Sequence, residues 1–253
     1  MTESGPRPDG LDDDWRDRFV AIGKSAAGLV PIFGGPLAEI IGVVVPGQRA
    51  DRIAAYLRAL ASRVDALAEE VRQGLHSNAE KIDLIEEGGY QAARATSPDR
   101  VEQIVEAVSR GLVEDDAHVV RRKRLLLIFG ELDDDEVSLL NAYGRSYAGA
   151  DRDAFGKVNR PAPTHMRSSP DEIERNRLYE LGTEHLLRLG LLKKNYGNVK
   201  KGELPEFDVR KGDFKHNIGI SPLGRMILKE IGLPTPFDLQ QEQCRPSDPG
   251  ADV

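Results

Sequence analysis

Residues 183–232, TEHLLRLGLLKKNYGNVKKGELPEFDVRKGDFKHNIGISPLGRMILKEIG, decide how this chain is read. Thr183 is placed to cap a short helix, EHLLRLG, that Gly190 closes. Leu191, Leu192, Lys193 and Lys194 leave no room for another turn, and the basic, turn-rich run after them offers FDV and HNIGI as its plausible strands. Ser221-Pro222 then opens a last helix, with Ser as its cap and Pro in its first turn. Over residues 183–225 nine Lys/Arg stand against five Asp/Glu, a local balance of +4 in a chain of net charge −7, which leaves −11 elsewhere. A basic C-terminal unit on an acidic body is expected.

Upstream, Ser169-Pro170-Asp171-Glu172 is a capping box, so a helix is expected through IERNRLYEL to Gly182. Residues 149–168 hold Pro161 and Pro163 and have neither a helical nor a strand period, which marks a linker. The resulting order is helix, helix, a Gly- and Lys-rich ribbon, then a Ser-Pro-x-Gly helix. Over roughly residues 170–233 this order resembles a winged-helix module. Such a module implies two strands carrying a wing, and a surface able to meet DNA or protein.

Further upstream, QRADRIAAYLRALASRVDALAEEVRQGL places Ile53, Leu57, Leu60, Val64, Leu67, Val71 and Leu75 at steps of three and four, an a/d stripe of coiled-coil type. Its partner is a helix of the same chain or the same helix in a second copy. Helices are also expected in NAEKIDLIEEGGYQAARA, where Gly88-Gly89 is a point for a kink or an end, and after the Ser97-Pro98-Asp99 cap. Asp115 and Asp116 begin another, and Asp133 to Glu136 lead into VSLLNAYGRSY. The fold expected is mainly α: an N-terminal helical bundle at 11–148, the linker at 149–168, a small α+β winged-helix-like domain at 169–236, and disordered tails at 1–10 and 237–253.

The most apolar stretch, AGLVPIFGGPLAEIIGVVVPGQR at 27–49, is a hairpin broken by Gly and Pro. A straight transmembrane helix needs about 20 apolar residues in succession, and this run is interrupted by Pro31, Pro36, Glu39 and Pro46. A short helix, buried or interfacial, is expected. Left in water, Leu29, Ile32, Phe33, Leu37, Ile40, Ile41, Val43, Val44 and Val45 would form a large exposed patch, so they are the candidate membrane-or-partner residues.

Composition narrows the function. At 253 residues the chain has room for two domains, and 40% hydrophobic with 30% charged residues fits a water-soluble helical protein. The single cysteine, Cys244, excludes a disulfide within the chain, and the acidic N-terminus lacks the form of a secretory signal. A cytoplasmic protein is expected, membrane-associated on activation. Gly23-Lys24-Ser25 ends like a phosphate-binding loop, but Arg18 occupies the position that needs glycine, so no nucleotide cofactor is expected. His76, His118, His165, His185 and His216 lie far apart without ligand spacing, though His185 and His216 could approach one another within the C-terminal unit; no metal and no catalytic residue is assigned. Arg121, Arg122, Lys123 and Arg124 spread around a helical turn rather than forming one patch.

Three further pieces, IFGGPLAEIIG, PGQRADRI and AARATSPDR, resemble the layout of abortive-infection-type bacterial proteins, in particular the abortive-infection alpha family. That resemblance implies a non-enzymatic intracellular effector or sensor in defence against phage. The partners expected are a protein or a membrane surface for the apolar segment; for the helix stripe at 53–75 a second copy is the alternative to packing within the chain. The alternative function is a DNA-binding regulator, gripping phosphate through Arg188, Lys193, Lys194, Lys200, Lys201, Lys211 and Arg225. The helix EHLLRLG offers no Asn or Gln for reading adenine, which argues against sequence-specific readout.

Overall fold

The computed structural model describes residues 47–67, 78–158, 160–209 and 212–243. Residues 27–46 of the apolar segment, which hold its nine candidate residues, together with Val71, Leu75, His76, Lys211 and Cys244, lie outside the described residues. Among the described residues the chain is mainly helical, with eight α-helices and a few small antiparallel strands. By packing it divides into two compact units, Met1–Gly130 and Glu131–Val253.

The described part of the first unit is four helices: α1 (Gly47–Asp65), α2 (Ala79–Arg94), α3 (Pro98–Leu112) and α4 (Asp116–Gly130). Helix α1 packs on α2 and α3, and α4 packs on the same two. Ile53, Leu57, Leu60 and Val64 of the a/d stripe are buried, with Tyr56 and Ala61 beside them. The caps form where the sequence signals them: the Asn78 side chain accepts from the Lys81 N–H, and Ser97 accepts from the Arg100 N–H.

Gly88-Gly89 does not end α2, which runs through both. The reason for glycine at 88 is space, not flexibility. A Cβ there would overlap the Tyr56 hydroxyl and stand 2.7 Å from Val108 Cγ2. Tyr56 comes that close because its hydroxyl donates to the Ile85 carbonyl at 2.9 Å. At the far end of α3 and α4, buried Arg100 donates to the Phe129 carbonyl at 2.6 Å and lies 3.7 Å over the Phe129 ring.

The second unit begins with α5 (Asp134–Arg145), started by a reciprocal Asp133/Glu136 capping box. Helix α6 (Pro170–Arg188) follows, started by the Ser169/Glu172 box, then strand β1 (Leu192–Asn195). A two-residue ladder of β2 (Phe207–Asp208) and β3 (Asp213–Phe214) comes next, then β4 (Asn217–Ile220), α7 (Pro222–Glu230) and α8 (Pro236–Gln243). Its core sits where α5 meets α6, α7 and β4. The expected linker, 149–168, falls inside this unit, and its short helical turn Ala154–Lys157 packs on α5 through an edge-to-face contact of Phe155 with Tyr143 at 5.0 Å.

Three local expectations are corrected. The segment 170–188 is one helix, not two, because the Thr183 hydroxyl donates back to the Tyr179 carbonyl at 2.9 Å instead of capping a new start. The strand partner of HNIGI is LKKN, in antiparallel register Leu192↔Ile220, Lys193↔Gly219, Lys194↔Ile218 and Asn195↔Asn217, while FDV supplies only the short ladder with Asp213–Phe214. A further helix, α8, begins at the last residue of the expected winged-helix-like domain and runs into the stretch expected to be a tail. Thr235 caps it, and Phe237 packs edge-to-face on Tyr147 at 5.4 Å.

Candidate nucleic-acid interface

The corner that aims the β-ribbon is built from two glycines and a serine. Helix α6 ends on Leu189, after which Gly190 takes φ +72, a left-handed conformation that favours glycine. The Leu191 N–H reaches the Leu186 carbonyl at 2.9 Å and the Gly190 N–H reaches the Leu187 carbonyl at 3.0 Å. These are the paired bonds of a Schellman cap, and Leu186 and Leu191, the two positions whose apolar contact usually accompanies it, are both fully buried. The chain therefore leaves α6 directly into β1.

Strand β4 returns to the same point. The Ser221 N–H donates to the Leu191 carbonyl at 2.9 Å, the Ser221 hydroxyl donates to the Gly190 carbonyl at 2.6 Å, and the same hydroxyl oxygen accepts from the Gly224 N–H at 3.0 Å. A Cβ on Gly224 would overlap the Leu191 carbonyl. The Ser-Pro-x-Gly spacing thus has a physical cause: serine ties the helix start to the end of α6, and glycine lets α7 lie against that backbone.

Between β1 and β4 lie the described residues 196–209 and 212–216, an extension of the ribbon. At its root Lys194 bonds Asp213 at 2.5 Å, which holds the Asp213 carboxyl below its usual range and the Lys194 ammonium above its own. Tyr196 meets the His216 ring edge-on at 5.8 Å. Phe207 and Phe214 stand opposite one another in the ladder, edge-to-face at 5.4 Å. Lys215 pairs with Glu206, which raises its pKa.

The extension combines exposed apolar and cationic side chains. Tyr196, Val199, Leu204, Phe207 and Val209 are exposed, Leu204 and Val209 by more than four-fifths. Lys200 and Lys201 are exposed in the same stretch, as are Lys193 on β1 and Arg188 at the end of α6, and among the described residues none of these four has a carboxylate partner.

The seven residues expected to grip phosphate therefore separate. Arg188, Lys193, Lys200 and Lys201 are exposed and open, whereas Lys194 is tied to Asp213. Arg225 is a packing residue: its guanidinium lies 5.1 Å from the Tyr147 ring centre and 4.7 Å from that of Phe237, with Asp238 at 3.5 Å. Tyr196, Phe207 and His216 were missed by counting charge alone, although aromatic residues set among lysines were there to be seen.

The two histidines expected to approach one another are used apart. His185 pairs with Glu136 at 2.7 Å, and His216 Nδ1 lies 2.7 Å from the Phe214 carbonyl. No sequence signal linked His185 to Glu136, which lies on a different helix. Glu136 also borders a cleft of about 410 Å³ lined by Leu139, Arg175, Leu178 and Tyr179. Burial raises the Tyr179 hydroxyl above its usual range. Among the described residues there is no grouping of His, Cys, Asp and Glu that could hold a metal, and no helix is long and apolar enough to cross a membrane. Compared with protein-family models, curated proteins and solved structures, the chain matches none.

Proposed function

We propose that this chain acts by binding rather than by catalysis, and that its C-terminal unit is a winged-helix-like module that docks on nucleic acid through the β1–β4 ribbon. One observation carries this reading: Lys193 on β1 and Lys200 and Lys201 on the extension, all exposed and, among the described residues, without a carboxylate partner, accompany exposed Tyr196, Phe207 and Val209. Lysines without partners attract phosphate, and exposed rings offer faces on which bases stack. The ribbon, not α6, is the contacting element. Helix α6 carries five carboxylates against three guanidinium groups, a balance that phosphate repels.

The test is fluorescence anisotropy with a labelled oligonucleotide, using the whole chain and a Lys200→Glu/Lys201→Glu variant. Binding should weaken steeply as salt rises from about 50 to 200 mM, and the variant should lose most of it. Absence of binding at low salt, or binding indifferent to both salt and the two lysines, overturns the reading.

A second reading is the effector in phage defence. The sequence favours it through the apolar side chains at 29–45, which need cover from water. On that reading, intact protein should sediment with membranes when activated, and a version lacking residues 26–46 should not.

A further inference from the structure

At the root of the extension lies a cleft of about 470 Å³, bordered by Asn195, Tyr196, Asp208, Phe214, His216 and Asn217. Its volume falls within the roughly 300–1,000 Å³ of small-ligand sites. We propose that this cleft is a subsite for one unpaired nucleobase, so that the ribbon prefers single-stranded nucleic acid over duplex; the inference rests on the nucleic-acid reading of the ribbon.

Three features of the cleft fit a base and not a phosphate alone. The first is Tyr196, 41% exposed with its ring edge-on to His216 at 5.8 Å, which gives a base a surface to stack on. The second is the state of the polar groups. The Phe214 carbonyl can only accept, so His216 Nδ1 donates to it at 2.7 Å, with Asp213 Oδ2 3.7 Å from the same nitrogen, and Nε2 is left as the second hydrogen-bonding atom of the ring, an acceptor whenever the ring is neutral. Asn195 Oδ1 is taken by the Gly197 N–H at 3.1 Å, leaving the amide N–H groups as donors. An acceptor and a donor beside a ring match the exposed edge of an unpaired base, which presents both.

The third feature is charge. Lys215, which lines the cleft, is paired with Glu206, and Lys194 next to Asn195 is paired with Asp213, whereas the open lysines at 193, 200 and 201 are those left for a backbone. In a duplex the edges of the bases are paired and their faces stacked, so this cleft would stay empty.

The experiment measures anisotropy with fluorescein-labelled single strands of about 16 nucleotides, as DNA and as RNA, and with the blunt duplex of the same sequence. The proteins are the whole chain, Tyr196→Ala, Tyr196→Phe and Lys200→Glu/Lys201→Glu, each checked for its fold by circular dichroism. Expected are tighter binding of single strands than of duplex, a loss of roughly 5- to 100-fold for single strands in Tyr196→Ala, and near-native binding in Tyr196→Phe, which keeps the ring. If single strand and duplex bind equally and Tyr196→Ala changes neither, while the lysine variant abolishes both, the subsite is overturned and the ribbon reading stands. An equal loss for both substrates in Tyr196→Ala overturns the subsite as well. If no nucleic acid binds, both fall, and the exposed ribbon is a surface for protein.

Discussion

Tyr56 shows how much one side chain settles in the first unit. It is wholly buried, its hydroxyl reaches the Ile85 carbonyl, and its presence forbids any residue larger than glycine at 88. Burial, with the Glu87 carboxylate adding to it, pushes the Tyr56 hydroxyl far above the ordinary tyrosine range. Since the folded state favours the protonated hydroxyl, the stability it contributes is fully present below the unfolded value of about 10 and is lost as pH climbs above that. Urea denaturation followed by circular dichroism should therefore show the wild type weakening between about pH 9 and pH 11. Tyr56→Phe, which has no proton to lose, should weaken less over that window, although at neutral pH it starts about 1 kcal/mol lower for the missing hydrogen bond. An identical pH dependence in the two proteins would refute this account of Tyr56.

At the scale of elements, the corner between α6, β1 and α7 turns on two glycines with different reasons. Gly190 has open space around it and is needed only for its positive φ, so Gly190→Ala should cost about 1–2 kcal/mol of strain. Gly224 faces the Leu191 carbonyl, a backbone atom that cannot swing aside, so Gly224→Ala should cost more, about 3 kcal/mol. Thermal melts should rank them in that order; the reverse order would mean that the corner yields. The same corner separates what was legible in the sequence from what was not. Caps at Asn78, Ser97, Asp133, Ser169 and Ser221 are local chemistry, and all five form as their spacing requires. Strand LKKN carries no alternation and becomes a strand only because β4 returns beside it, a pairing set by distant residues. Thr183 misled because the same hydroxyl can cap a helix or bond back within one, and which it does depends on whether the chain after it keeps packing against its neighbours. Likewise the lysines at 193, 200 and 201 could be named from sequence, but that Lys194 and Arg225 are engaged elsewhere could not, since Asp213, Tyr147 and Phe237 reach them only through the fold.

For the whole molecule the governing quantity is charge. A chain of net charge −7 meets a polyanion only if a few cations act locally, because summed over its length the molecule repels one. Of the seven candidate phosphate contacts, four are exposed and, among the described residues, without a carboxylate partner: Arg188, Lys193, Lys200 and Lys201. Each phosphate neutralised on a single strand releases counterions and adds about −0.7 to the slope of log affinity against log salt. With three or four of these groups engaged, the slope for the whole chain should lie at roughly −2 to −3, well short of what a protein coating many phosphates would give. Replacing Lys193, Lys200 and Lys201 by alanine one at a time should flatten the slope by about 0.7 at each step. Arg225→Ala should leave the slope unchanged while lowering the melting temperature, because its guanidinium is spent on Tyr147, Phe237 and Asp238. A slope that the lysine changes leave alone, or that falls with Arg225→Ala in a protein still folded, would move the phosphate contacts off the ribbon and onto another face of the molecule.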